Sequence, residues 1–375
     1  MRIHDILFSA IRCGMEQDIS NIELSMEACN SLLEISIGQS ILPVVYRGLK
    51  RMNIPADCIN QFDRAWIRNV FWHSQRQEAL RKITSALDDA QIPYVPLKGA
   101  VLQYLYPVPN MRTSGDIDIL TREEDLDRAV HAIEENAGFS YVQRNYHDVN
   151  MTNSRVVLEL HFSIKENMEN IDKLLSKAWD YAEPTGEGYR YSFTPEYQVF
   201  HVIAHMSYHL VHGGLGIRPF LDLWLLKNKT NFDEDVVRRM CDDCGILTFY
   251  EKSYELVDAW MSGKPVPDDL VLLEEYCLSG GVFGSIESTS ASRLRKKGKS
   301  DYVMSRLIVS QDVLEDQYPE LRDKPFLMPV YQMKRWMRLL DKEKRAGAMR
   351  EIDGISKVKD GEIEKFDEML RGVGV

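Results

Sequence analysis

No apolar run in the 375 residues approaches the roughly 18 that a membrane span needs. The opening stretch, MRIHDILFSAIRCGMEQD, is broken by Asp5, Arg12, Glu16 and Asp18 and has neither the apolar core nor the small-residue cleavage site of a secretory leader. A cytoplasmic protein without a membrane partner is the expectation. Basic charge is also scarce: 46 Lys and Arg stand against 57 Asp and Glu, a net charge of -11. Such a field repels polyanions and disfavours broad binding to a nucleic-acid backbone, although it leaves room for a single nucleotide carried with metal ions. Six cysteines in so long a chain argue against a disulfide framework. Cys241 and Cys244 make one CxxC, but no second ligand pair follows at zinc spacing, and Gly245 next to them marks a helix end, so buried thiols are expected there.

What is present is ordinary globular material, 44% hydrophobic and 27% charged, long enough for two or three domains. Residues 1–88 carry apolar side chains at three- and four-residue spacing, punctuated by Pro43 and Pro55, and predict a helical packing layer with no chemistry of its own. The character changes near residue 89. IPYVPL predicts a short strand, AVLQYLY a helix, and DIDIL a second strand. Thr121 and Glu124 have capping-box spacing ahead of a helix that would bury Leu126, Ala129, Val130 and Ile133 and end at Gly138. VVLELHFSI alternates strictly, with Leu158, Leu160, Phe162 and Ile164 on one face and Val157, Glu159, His161 and Ser163 on the other. From 191 onward helical spacing returns. The fold class is therefore α+β: a core at 89–190 between an N-terminal helical region, 1–88, and a C-terminal helical domain, 191–375. Residues 279–300 are rich in Gly and Ser and then basic, which predicts a loop, and the last thirty predict a terminal helix with a loose end.

The chemistry concentrates in RTSGDIDIL, residues 112–120. On a strand, Asp116 and Asp118 share a face while Ile117 and Ile119 turn to the core; their Cα atoms lie about 6.6 Å apart. Two adjacent carboxylates repel unless positive charge lies between them, and hard divalent cations such as Mg²⁺ prefer carboxylate oxygen. The same repulsion implies that Asp118→Asn would not destabilise the metal-free fold. Glu159, alone among apolar neighbours, is the candidate third acid if its strand pairs beside DIDIL. Upstream, VPLKGAVLQYL predicts strand, tight turn and helix. Gly99 there would expose backbone N–H groups and Lys98 would add a charge, both suited to phosphate.

In that order, Lys98-Gly99, Arg112, Asp116-Ile117-Asp118-Ile119-Leu120 and Glu159-Leu160-His161-Phe162 resemble the uncharacterised bacterial nucleotidyltransferases of the DNA polymerase β-like superfamily, over roughly residues 90–225. The resemblance implies a small mixed sheet with helices and a Mg²⁺-dependent transfer of a nucleoside monophosphate from an NTP, with ATP as the expected donor. It implies that Asp116, Asp118 and Glu159 hold Mg²⁺, with Glu159 completing the second metal site or helping to deprotonate the acceptor. Lys98, Gly99, Arg112, Ser114 and His161 would surround the nucleotide. The acceptor is a hydroxyl on a small molecule or a protein. Two positions depart from the pattern: Ala100 stands where Ser is common, and Glu159 where Asp is commoner. A two-metal phosphate-ester hydrolase and a catalytically silent nucleotide-binding module are the alternatives.

His201, His205 and His209 are four apart and share one helix face. Without an HExxH pattern, a polar wall of the cleft is the stronger reading than a metal site. Asp222 sits in an apolar stretch and needs a partner, for which Arg218 is the nearest choice. The basic run at 293–299 could meet an anionic ligand, but such runs are usually solvated.

Overall fold

The computed structural model describes residues 2–16, 24–52, 54–281, 324–337 and 360–375, with single positions between 292 and 321. The basic 293–299 run, Leu294 apart, and most of the Gly/Ser-rich stretch before it lie outside the described residues. None of the described helices is long and apolar enough to cross a membrane.

Four helices open the chain: α1 (Ile3–Gly14), α2 (Met26–Gly38), α3 (Leu42–Leu49) and the long α4 (Ala56–Asp89). Helices α1 and α3 approach backbone to backbone, so that a Cβ at Gly48 would overlap the Ala10 carbonyl. Cys29 on α2 and Cys58 on α4 are joined by a disulfide, a single bridge that a cysteine count arguing against a disulfide framework did not anticipate. Cys241 and Cys244 are free and buried, as the sequence suggests.

Five strands form a mixed sheet in the order β1-β2-β5-β4-β3. They are β1 (Tyr94–Pro96), β2 (Asp116–Thr121), β3 (Ser140–Arg144), β4 (Asp148–Thr152) and β5 (Val157–His161), with α5 (Gly99–Leu102) after β1 and α6 (Leu126–Ala137) after β2. Strand β2 runs antiparallel to β1 and parallel to β5, and Asp118 is the register partner of Glu159. One face of the sheet, carrying Ile117, Ile119, Leu158 and Leu160, packs on Ile83, Ala86 and Leu87 of α4 and on Ala129 and Ile133 of α6. Gly138, in the left-handed region at φ 73°, ends α6. The helix begins otherwise than Thr121 and Glu124 predict. Thr121 stays in β2, where its hydroxyl donates to the Pro93 carbonyl, and a short 3₁₀ turn at Glu123–Asp125 leads into α6. Strand pairing holds the threonine and outcompetes the cap.

The other face of the sheet bears the acidic side chains and looks toward the C-terminal helices. After α7 (Glu169–Leu175) and a small hairpin, β6 (Ala182–Pro184) and β7 (Tyr191–Phe193), come α8 (Pro195–Val211), α9 (Ile217–Lys229), α10 (Glu234–Asp243), α11 (Leu247–Ser262) and α12 (Val271–Gly280). Pro195 at the first turn and the Thr194 hydroxyl, which accepts from the Tyr197 amide, start α8. A last helix at Asp360–Gly372 packs on α12. The architecture is thus a small mixed sheet between helical layers.

Replacing Gly48 by Ala should push α1 and α3 apart. A loss of roughly 1–3 kcal/mol is expected, read as a lower thermal midpoint; an unchanged midpoint would mean that the two helices can separate freely.

Candidate active site

Strand β2 brings Asp116 and Asp118 to the face opposite its core isoleucines, and β5 brings Glu159 and His161 beside them. All four line a cleft of about 320 Å³ between the sheet and helices α8 and α9. Asp118 is the buried centre of the group. Its Oδ1 accepts from Lys98 Nζ at 3.0 Å and lies 3.1 Å from His161 Nε2. Burial alone would raise the Asp118 pKa, but the Lys98 ammonium and the His161 contact prevail and hold it below the usual carboxylate range. Asp116 has no such cation in contact; burial and the charge of Asp118 raise its pKa. Glu159 is raised further, to about 7, by burial and then by Asp118 and Asp116. Asp118, Glu159 and His161 have ligand atoms mutually within 4.8 Å, a group able to hold a metal ion, whereas Asp116 lines the same cleft outside that group. His147, Asp148 and His161 form a second such group.

Lys98 reaches Asp118 through a strained turn. Its backbone has φ 41° and ψ −111°, a region that costs a residue with a side chain on the order of 1–3 kcal/mol. The Leu97 amide donates to the Asp118 carbonyl at 3.0 Å, which ties this turn to β2. At Gly99 a Cβ would lie 2.5 Å from Ser114 Oγ and 2.8 Å from Arg112 Nη1, so glycine is required by close approach. Ser114 Oγ in turn lies 3.5 Å from Asp116 Oδ1.

Arg112 is buried and bidentate to Asp222, with Nε–Oδ1 at 2.9 Å and Nη2–Oδ2 at 2.8 Å. Tyr106 donates a further bond to Asp222 Oδ1 at 2.9 Å. The sequence pointed to Arg218 as the partner of Asp222. Instead Arg218 donates through Nη1 to the Thr113 carbonyl at 3.0 Å, leaving the carboxylate to a guanidinium that meets it fork to fork. Arg112 therefore has one arm committed to structure. Its Nη1, and Arg218 Nε, are buried without a hydrogen-bond partner among the described residues.

The facing wall comes from α8. His201, His205 and His209 recur every turn and all line the cleft. Burial lowers the pKa of His201 to about 3 and of His209 to about 4, and takes His205 well below its ordinary value. His205 Nδ1 lies 2.7 Å from Glu166 Oε1, and its Nε2 lies 2.9 Å from His209 Nε2. Glu166, which follows β5, escaped the sequence reading because nothing in its neighbourhood alternates or repeats. So did Arg76 on α4, a helix assigned packing only: it lines a pocket behind Gly99, near enough to feel the Asp116 charge.

Acids on neighbouring strands of a small mixed sheet, with the lysine of a lysine–glycine turn in contact with one of them, are the layout of a nucleotidyltransferase. The chain belongs to the uncharacterised nucleotidyltransferase family, whose family model matches residues 26–262. Neither curated proteins nor solved structures gave a match.

The charge pattern reverses the expected effect of Asp118→Asn. Removing the charge takes the contact anion from a half-buried Lys98 and leaves it the more distant Asp116 and Glu166, so the metal-free protein should lose about 1–3 kcal/mol; a midpoint at or above wild type would refute the pairing. Glu159→Gln should do the opposite, in a pH-dependent way. The folded pKa of Glu159, about 7, lies above its ordinary 4.5. Its contribution to stability is therefore present in full below about pH 4.5 and lost as pH rises through 7. Glu159→Gln should stabilise the metal-free protein by roughly 1–3 kcal/mol at pH 8 and leave it unchanged near pH 4.5. Melting curves at the two pH values measure the difference.

Proposed function

We propose that the protein transfers a nucleoside monophosphate from an NTP, with ATP the first donor to test, to a hydroxyl of a small-molecule or protein acceptor, and that Mg²⁺ assists. The observation that carries this reading is the register pairing of Asp118 with Glu159 in one cleft with Lys98 and Arg112, whose Nη1 is unpartnered among the described residues, while Gly99 lines a smaller pocket beside it. The donor set fits Mg²⁺, since Asp116, Asp118 and Glu159 offer hard carboxylate oxygens and carry more negative charge than Lys98 alone offsets. The metal would supply charge neutralisation at the transferring phosphoryl group.

In this reading Asp116, Asp118 and Glu159 hold the metal. Lys98, the Gly99 turn, Ser114 and the free arm of Arg112 bind phosphate oxygens, and His161 keeps Asp118 oriented. The mixed sheet with its acids on β2 and β5 is what a polymerase β-like core would present, which supports assigning residues 89–190 to the nucleotide and the helices after 191 to the acceptor side. The protein contributes mainly position and electrostatics. The net charge of -11 supports a small or protein acceptor over a polynucleotide.

The protein incubated with each NTP and Mg²⁺ should release pyrophosphate without matching orthophosphate. Asp116→Asn should reduce that release at least about 100-fold while the fold survives, a typical effect of removing one electrostatic contributor to a transition state. Orthophosphate as the only product would replace the transferase by a hydrolase.

A further inference from the structure

We propose that Glu166, His205 and His209 form a proton relay that accepts the proton of the acceptor hydroxyl, with His209 at the acceptor end and Glu166 at the other. The inference rests on the transferase reading and assigns the acceptor side of the same cleft.

The three groups are strung in a line. Glu166 Oε1 meets His205 Nδ1 at 2.7 Å, and His205 Nε2 meets His209 Nε2 at 2.9 Å. They are not one of the clusters whose ligand atoms lie mutually within 4.8 Å, so the arrangement suits conduction along a chain rather than a metal. Two imidazole nitrogens in contact require one proton between them. With Glu166 ionised, His205 donates from Nδ1 to the carboxylate, and its bare Nε2 accepts from Nε2–H of His209. That leaves His209 Nδ1 unprotonated, and this atom has no hydrogen-bond partner among the described residues, while His209 lines the cleft. The carboxylate end is held firmly. Asp172 accepts from the Glu166 amide at 2.7 Å and from the Met168 amide at 3.2 Å, which fixes the loop that carries Glu166.

The step balances without a cationic histidine. As the acceptor oxygen bonds to the α-phosphorus, the bond to pyrophosphate breaks and pyrophosphate leaves with the electron pair. The acceptor proton goes to His209 Nδ1; His209 passes its Nε2 proton to His205 Nε2; His205 passes its Nδ1 proton to Glu166. Each imidazole changes tautomer and stays neutral. This suits histidines whose burial disfavours the charged form. Glu166 is a fitting terminus, since burial raises its pKa to about 7 although Lys98 and His161 oppose the shift. Asp172, Asp118 and Tyr208 also act on it electrostatically.

Two measurements test the relay. Nitrogen-15 spectra of histidine-labelled full-length protein at pH 8 should show His205 protonated at Nδ1, His209 at Nε2, and neither ring cationic. A cationic ring, or a His205 proton on Nε2, overturns the relay without reference to nucleotide. Pyrophosphate release from magnesium–ATP, with water and glycerol as acceptors, should fall by about 100-fold or more in both His209→Ala and Glu166→Gln. Calorimetric binding of a non-hydrolysable ATP analogue should remain at wild-type strength in both, and free imidazole should restore release in His209→Ala alone. Wild-type release in either variant overturns the relay and spares the transferase reading. A wild-type protein that binds no analogue overturns the transferase reading itself.

Discussion

The contact between half-buried Lys98 and buried Asp118 is the constraint around which the cleft is organised. Burying the Asp118 carboxylate is costly, and the Lys98 ammonium, the His161 contact and the Leu97 amide that anchors the turn to β2 offset that cost. One ammonium cannot serve three carboxylates. Asp118 takes it, and Asp116 and Glu159 are left with raised proton affinity on the same face. A strained Lys98 backbone and a glutamate whose pKa is raised to about 7 are local costs that packing alone would not select, which is how a candidate site differs from the core beneath it.

The cleft divides by charge. Carboxylates line the sheet side. Below them, Arg112 and Arg218 share Asp222 as the nearest compensating acid, so positive charge is in excess there and two guanidinium N–H groups have no partner among the described residues. Opposite stands a wall of imidazoles that burial keeps neutral. Three kinds of wall thus surround one space, and the perturbed proton affinities of its groups mark it off from the packed core.

Rigidity comes from the other face of the sheet. Ile117, Ile119, Leu158 and Leu160 sit in a close-packed layer under α4 and α6. A shift of β2 by one residue would exchange the acids with these isoleucines, at a large cost in buried charge and lost apolar contact. The register that pairs Asp118 with Glu159 is therefore enforced from behind, by groups that never touch the cleft.

Short-period patterns account for what the sequence determined by itself. Alternation placed the acids of β2 and of β5 on the cleft face, Gly138 and Gly245 marked helix ends, and Lys98-Gly99 announced a turn. Such signals are local, because two- and four-residue periods specify which face a side chain occupies. Tertiary structure alone decided the partners. Arg112 found Asp222 across 110 residues of chain instead of leaving it to Arg218 one helical turn away, and Cys29 found Cys58. Glu166, in an unpatterned loop, met a histidine 39 residues on. Thr121 gave up its cap to remain in the sheet. No local period encodes such meetings; they follow from how β5, α8 and α9 are stacked, and a buried charge pairs with whichever complementary group that stacking delivers in bonding geometry.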